Sequence, residues 1–509
     1  MAMQDTEKYS PSTSLQFEEK VPDVLVSEAV GPKFTVERLF RRVTAQLSQW
    51  GLEVNGIVPI PLEERTDPRL YQMFMVWFSA NANILILSAG TVGPAFYGLG
   101  IKDSLLIILV VDIVTCAFPA FFAVFGPKLG TRAMVQSRFS WGYYGAIIPS
   151  VLNVLSMQGY LILNAIIGGQ TLAGVSTHLN ASLGIVIIGI ISLAVSTSST
   201  SVYETVIWIP NVIAFIVMLG VGGKNLVNAP LSSPLPLDTA TILTFGATLT
   251  ATNVSWSTVT PDYGVYHNAK ASSWRIFIYA YLGFLLASMP AHMLGAAFTA
   301  ASVSVPAWKA GLGDGNDVGG LIAAILAPTG RFGKFMLVLT ALTAPSACAP
   351  TMYTVCTSFM TIAPIFAKIP RFVIATISTA ILIPVAIVGS TRFYTTFVDI
   401  QSLIGYWLAP FCAIVLTEHF VFRRGPWSSY DVLEAWDKPQ HPNLPRGYAA
   451  AVTLAISIGL IVVCMQQAWW TGPVARKGTG DVGMLVGFVG SVAVYLCARW
   501  LEKRWTKTR

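Results

Sequence analysis

Charge is what this 509-residue chain has little of: Asp, Glu, Lys and Arg make up 11% of it, where a soluble protein carries roughly a quarter. With 54% hydrophobic residues and a mean hydropathy of +0.63, that scarcity excludes an ordinary water-soluble globule. An all-α polytopic membrane protein is predicted. Enzyme signatures are missing too. There is no HExxH, no nucleophile elbow and no GxxxxGK[ST] loop, and the histidines His178, His267, His292, His419 and His441 are scattered. Metal-dependent hydrolysis and ATP-driven pumping are therefore not expected, nor is any enzyme activity, metal site or cofactor beyond a coupling ion.

The cysteines Cys116, Cys348, Cys356, Cys412, Cys464 and Cys497 all fall in apolar runs. They read as small buried side chains and not as a disulfide framework. The first 69 residues are mixed in charge, with no basic segment leading into an apolar core, so no signal peptide is expected. Ala2 stands where myristoylation needs glycine, and "RWTKTR" at the C-terminus offers no prenylation cysteine. Spanning helices are the expected mode of membrane attachment.

Runs of about 20 apolar residues place spans near 72–97, 101–125, 142–172, 182–199, 203–222, 242–261, 274–300, 332–362, 370–390, 393–419, 448–469 and 481–501. That is about 12 transmembrane helices. About 24 of the 32 Lys and Arg residues fall on the side shared by both tails, so both termini are expected to face the cytoplasm. Arg38, Arg41, Arg42, Lys128 and Arg132 contribute to this side. The net charge of +7 is accounted for by a basic face against anionic lipid, with no nucleic-acid partner. Asn180-Ala181-Ser182 is a glycosylation-type triplet placed too close to a span to serve as an acceptor, and the stretch 302–331 is the longest external connection.

Two spans are unusually polar for hydrocarbon. "WFSANANILILSAGTVGP" (77–94) carries Ser79, Asn81, Asn83, Ser88, Gly90, Gly93 and Pro94; "TATNVSWSTVTPDYGVY" carries Thr250, Thr252, Asn253, Ser255, Ser257, Thr258 and Thr260 before Pro261 and Asp262. A broken helix survives in a bilayer only where protein or a water-filled cavity covers the break. The two lie five spans apart, the arrangement of discontinuous helices in inverted-repeat transporters, whose helix ends bind substrate and ion near the midplane. Repeats at about 70–222 and 242–419 follow from this, with accessory helices at about 448–501, a cytoplasmic tail at 1–69 and another at 504–509. The third span adds Gln158, Tyr160 and Asn164, the last two on one helical face. The eighth adds Pro345 and Pro350 among Ser346, Thr351 and Tyr353. Trp256 sits too deep for an interfacial belt and suits a wall that stacks a flat heterocycle.

Ionisable residues within spans are costly and usually functional. Asp112, Glu204, Asp262, Asp399, Glu418 and His419 are such residues. Asp262 and Asp112 are the candidates for ion coupling; a salt bridge from Asp262 to Lys270 or Arg275, or a simple interhelical hydrogen bond from Asp112, is the structural alternative. Glu418 and His419 are expected at a solvated membrane edge.

"WFSAN", "DYGVYHNAKASSWRIF", "FAKIPR", "EHFVFRR", "AWDKPQHPNLPRG" and "GDVGMLVG" resemble the fungal purine-cytosine permease branch of the nucleobase-cation symporter family, from about residue 30 to 503. The resemblance implies a LeuT-like five-plus-five fold, a plasma-membrane location and uptake of a nucleobase coupled to a cation, a proton in the fungal members. It implies a heterocycle site including Ser79, Asn164 and Trp256, and with Asn81, Tyr160, Cys348, Pro350 and Thr351 these form the expected substrate-binding set. Tyr160 stands where the family usually has Trp. The family's Asn-Asn-x-Pro-Asn in the eighth span reads here as Ala347, Cys348, Ala349, Pro350, Thr351. A pyridine such as pyridoxine is therefore the alternative cargo. A sensor that binds without transporting is a further alternative.

Overall fold

Apolar side chains all round a helix leave it no choice but to bury against other helices or lipid, and the chain does both. In the computed structural model, residues 56–196, 208–227, 229–232, 237–313 and 315–506 are described. The expected N-terminal tail as far as residue 55, with its arginines, the residue Glu204 and positions 507–509 lie outside them. The main helices are α1 (Tyr71–Asn81), α2 (Ile84–Tyr97), α3 (Ile101–Leu129), α4 (Ala133–Trp141), α5 (Ile147–Ala173), α6 (Ala181–Ser196), α7 (Trp208–Leu226), α8 (Thr239–Val254) and α9 (Thr260–Tyr263). They continue with α10 (Ser273–Ser302), α11 (Arg331–Leu342), α12 (Ala344–Ile362), α13 (Arg371–Gly389), α14 (Phe393–Thr417), α15 (Tyr448–Cys464) and α16 (Gly483–Thr506).

Among the described residues, 7 helices are long and apolar enough to cross a bilayer, or up to 8 when the pair α1 and α2, bent by 53°, counts as one. The fourth expected span, α6, has 16 residues, about 24 Å of rise. The sixth is split into α8 and α9 by a 3-10 turn at Ser255–Thr258. At the start of α6 the Asn180 side chain accepts from Leu183 N at 2.8 Å, so the sequon asparagine caps a helix. In the 302–331 connection, Val318–Leu326 forms a helix whose Val318, Leu321, Ile322, Ile325 and Leu326 are buried and pack toward α5.

Packing sorts the spans into two groups. The pair α1 and α2 packs with α3, α8 and α10, whereas α5 packs with α6, α12 and α13, and α14 touches both α8 and α5. Each group takes neighbouring spans from both halves of the chain, as a five-plus-five repeat requires. Small residues permit the closest contacts: a Cβ on Gly90 would lie 1.9 Å from the His292 carbonyl oxygen, and one on Gly295 would lie 2.0 Å from that of Leu87. Backbone therefore meets backbone between α2 and α10.

The accessory helices are fastened by charge. Glu418, at the end of α14, is 1% exposed. Its carboxylate accepts from Arg499 Nε (3.1 Å) and Tyr495 (3.0 Å) of α16 and faces Arg423 Nε at 3.5 Å. Glu502 pairs with Arg499 and accepts from Tyr448 N of α15. The expectation of a solvated edge for Glu418 and His419 is thus corrected: both are buried, Glu418 because Tyr495 and Arg499 of α16 cover it and His419 because Phe125, Trp427 and Tyr430 enclose its ring. Replacing Glu418 by alanine takes the counter-charge from Arg423 and leaves the buried Arg499 with Glu502 alone. The expected cost is about 3–5 kcal/mol, read as a lowered thermal midpoint in detergent; an unchanged midpoint would contradict this fastening role.

Candidate functional site

A helix that stops inside a bundle leaves carbonyls and amides without partners, and the break between α1 and α2 shows where they go. Asn83 adopts extended backbone and caps α2, its Oδ1 accepting from Ile86 N at 3.0 Å. Its Nδ2 donates backwards to the Ala80 carbonyl at 2.5 Å. Asn81 donates to the Trp77 carbonyl (2.9 Å) and accepts from Ser288 of α10 (3.4 Å). The Ala82 carbonyl accepts from Asn211 Nδ2 of α7 at 2.7 Å, and the same nitrogen reaches Thr343 at 2.9 Å. Polar residues in this span therefore hold the break together, and Asn81 has both polar ends engaged by protein.

The second break is made differently. Thr248, Thr250 and Thr252 return their hydroxyls to carbonyls four residues back, and Ser255 and Thr258 to carbonyls three back. Such back-bonding loosens a helix, and here α8 gives way to the 3-10 turn that carries Trp256. The indole is 8% exposed. It meets Trp77 at a centroid distance of 5.9 Å and Phe284 at 6.1 Å, while Trp77 and Phe284 stack at 5.2 Å. This aromatic cluster joins α1, the break and α10, and Ser79 lies buried one half-turn from Trp77 on α1.

Across from it, the Tyr160 hydroxyl of α5 donates to Gln401 Oε1 of α14 at 2.6 Å and lies within reach of Ser255 in the break. Asn164 donates to the Tyr160 carbonyl at 3.0 Å. Its Oδ1, and Gln401 Nε2, are buried with no partner in the protein. One acceptor on α5 and one donor on α14 are thus left over. Gln401 was not among the expected site residues, because a single amide in an otherwise apolar tenth span carries no pattern.

On α12, Thr354 and Thr357 donate to Asp262 Oδ2 at 3.2 and 3.0 Å. Pro350 and Ala347 lie within about 40° of Thr354 around the helix, and Thr351 within about 60°; Thr351 returns its hydroxyl to the Ala347 carbonyl at 2.9 Å. Cys348 points to the flank, beside Ser192 of α6. The structure therefore brings Ser79, Tyr160 and Trp256 to the two breaks, leaves Asn164 one turn from Tyr160 on α5, and turns Asn81 and Cys348 to helix packing.

Asp262 joins three elements. Its Oδ1 accepts from Ala133 N at the start of α4 (2.7 Å), Arg132 donates to its backbone carbonyl (2.5 Å), and Oδ2 takes the α12 threonines. The alternative of a salt bridge to Lys270 or Arg275 is not what forms; Lys128 instead donates to the Ala269 and Ala271 carbonyls. A matching contact at the other end links Tyr394 of α14 to Thr91 of α2 at 2.8 Å. Outside the spans, the paired bonds from Arg69 hold Asp67 below the usual carboxylate range, and burial pushes the nearby His267 imidazole down. Asp112 of α3 is fully buried against His292 of α10 and Asn253 of α8.

Replacing Asn83 by alanine removes a helix cap and leaves the Ala80 carbonyl without its donor. A loss of about 1–3 kcal/mol in stability is expected, measured as a fall in thermal midpoint of the purified protein; an unaltered midpoint would count against a structural role for this side chain.

Comparison with known proteins adds independent findings. Residues 59–487 match the family described as permease for cytosine/purines, uracil, thiamine, allantoin. The chain is 32% identical to the purine-cytosine permease fcyB of Emericella nidulans, over 95% of this chain and 97% of that one. It is 31% identical to the purine-cytosine permease FCY21 of Saccharomyces cerevisiae, over 97% and 94%. Its fold is similar to that of Mhp1 in an inward-facing conformation, with a TM-score of 0.64 at 17% identity, covering 89% of this chain and 96% of that one. The full-length match to permeases, together with spans interrupted where a cargo site would form, makes this chain a multi-pass secondary transporter, not an enzyme, and a member of the cytosine/purine permease family.

Proposed function

We propose that this transporter imports a purine or cytosine-type nucleobase across the plasma membrane by proton symport, with both termini in the cytoplasm. The observation that carries the cargo reading is the presence of two buried amide atoms with no partner in the protein, Asn164 Oδ1 and Gln401 Nε2, in a bundle whose second break holds the buried Trp256 indole. A planar base offers a π face to the indole and an edge on which donors and acceptors alternate. Leaving both amide atoms unsatisfied costs about 1–3 kcal/mol each, which cargo would recover. The relatives named purine-cytosine permeases support the same class. Ala347, in place of one of the family's asparagines, offers no edge contact from α12, and a pyridine such as pyridoxine is the competing cargo.

Proton coupling is supported by the chemistry of the first break. In broken-helix transporters, exposed carbonyls at a half-helix end coordinate sodium. Here the carbonyls of Trp77, Phe78, Ala80, Asn81 and Ala82 all accept hydrogen bonds from protein amides. The amide of Asn211 bonds the Ala82 carbonyl at the half-helix end.

Radiolabelled cytosine uptake in cells lacking their own permeases tests the reading, with purines, pyrimidines and pyridoxine as competitors. Saturable uptake that a protonophore abolishes and sodium replacement leaves unchanged is expected. Absence of uptake with the protein at the cell surface would overturn the nucleobase reading, pyridoxine uptake would establish the competing one, and sodium dependence would overturn proton symport. Trp256→Ala should raise KM about two- to twelvefold, the equivalent of a stacking contribution of about 0.5–1.5 kcal/mol; an unchanged KM would place the cargo elsewhere.

A further inference from the structure

We propose that Asp112 and His292 form the proton-binding site of this transporter, with Asn253 linking it to the cargo break. The inference rests on the proton-symport reading above and names the group that carries the proton.

Both side chains have 0% exposure. His292 Nδ1 lies 2.8 Å from Asp112 Oδ2, and Asn253 Nδ2 donates to Asp112 Oδ1 at 2.8 Å and to Thr115 at 2.9 Å. With Asp112 ionised, Nδ1–H of a neutral imidazole donates to the carboxylate and Nε2 is left as a lone pair. That nitrogen is buried with no partner. Loading adds one proton at Nε2 and converts a site of net charge −1 into an imidazolium–carboxylate pair of net charge zero. Release removes the same proton and restores the lone pair.

The other buried carboxylates are compensated by groups that do not titrate near neutrality. Glu418 has Arg499 and Arg423, Glu502 has Arg499, Asp262 has the Ala133 amide, two threonine hydroxyls and the adjacent Arg132, and Asp481 has the Tyr406 hydroxyl, the Gln467 side chain and the Gln466 and Gly483 amides. Asp112 has, among the described residues, His292 as its ion-pair partner. The groups facing the pair are few. On α3 the nearest titratable neighbour is Cys116, with Tyr281 of α10 beyond it; α8 contributes the neutral Asn253, and α2 approaches with Gly90. No lysine or arginine ion-pairs with Asp112 among the described residues.

The position explains how a proton here would act on cargo. Asn253 is the penultimate residue of α8, and Trp256 follows three positions later in the 3-10 turn. The backbone of His292 itself seats Gly90 of α2, where a Cβ would lie 1.9 Å from the carbonyl oxygen. The site therefore touches the outer half of the first broken span and the start of the second. With both side chains fully buried, exchange of the proton at Nε2 with water requires the helix packing around the pair to open.

The test is purified protein in liposomes, with radiolabelled cytosine as the probe. Wild-type protein should concentrate cytosine under an acid-outside gradient, about tenfold for each pH unit at one proton per cargo. His292→Asn keeps an amide donor toward Asp112 but cannot take the proton, and Asp112→Asn removes the charge. Each variant, once shown to be folded by size exclusion, should lose gradient-driven accumulation while still exchanging cytosine at equal pH, at a reduced rate. A folded variant that concentrates cytosine as the wild type does would overturn the proposal and leave the pair structural. Failure of the wild type itself to respond to the gradient would instead overturn proton symport. Should neither variant fold, cytosine affinity of the wild type from about pH 5 to pH 8 decides: linkage requires it to change with pH, and a flat profile contradicts a proton site there.

Discussion

Inside a bilayer every backbone amide and carbonyl must find a protein partner, and the two helix breaks are where this constraint bears hardest. The chain meets it with side-chain amides. Asn83 serves both halves of the first break, and Asn211 reaches in from α7 to the Ala82 carbonyl. At the second break, serine and threonine hydroxyls fold back on their own helix. Once these groups are satisfied, the breaks are stable enough to hold Trp256 in the second one, with the Tyr160 hydroxyl within reach of Ser255 beside it.

The helical, membrane-spanning class was legible because hydrophobic length is a strong signal; of the twelve expected spans, 7 helices, or up to 8 with the bent pair, are long and apolar enough to cross a bilayer among the described residues. The breaks were legible too, since Asn, Ser, Thr, Gly and Pro crowd them. What the polar residues do was harder to read. Composition cannot tell an asparagine that lines a cavity from one that caps a helix, so Asn81 was grouped with the cargo residues although its contacts are to Trp77 and Ser288. Cys348 was placed by a motif position, and helix rotation carries it to Ser192.

Long-range partners were the least legible. Trp77 and Phe284 look like apolar filler until the fold stacks them beside Trp256. Asn211 and Gln401 are lone amides in apolar spans. His292 was one of several scattered histidines, and nothing local shows that it meets Asp112, which lies 180 positions earlier. Glu418 was assigned to a solvated edge because its partner Arg499 belongs to the last helix. In each case the missing information was which helix packs against which, fixed here by glycine contacts too tight for any other residue.

These elements form one mechanical path. The proton pair bonds to Asn253, the turn after Asn253 holds Trp256, and Tyr160 ties that turn toward α5 and α14. Contacts at both ends, Tyr394 with Thr91 and Asp262 with Thr354 and Thr357, bridge the two helix groups. The central claim is that cargo binds at the helix breaks. A cryo-electron microscopy map of the protein with cytosine bound tests it most directly: density stacked on Trp256 with its edge toward Asn164 and Gln401 is the expected result, and density at any other place in the bundle would contradict it.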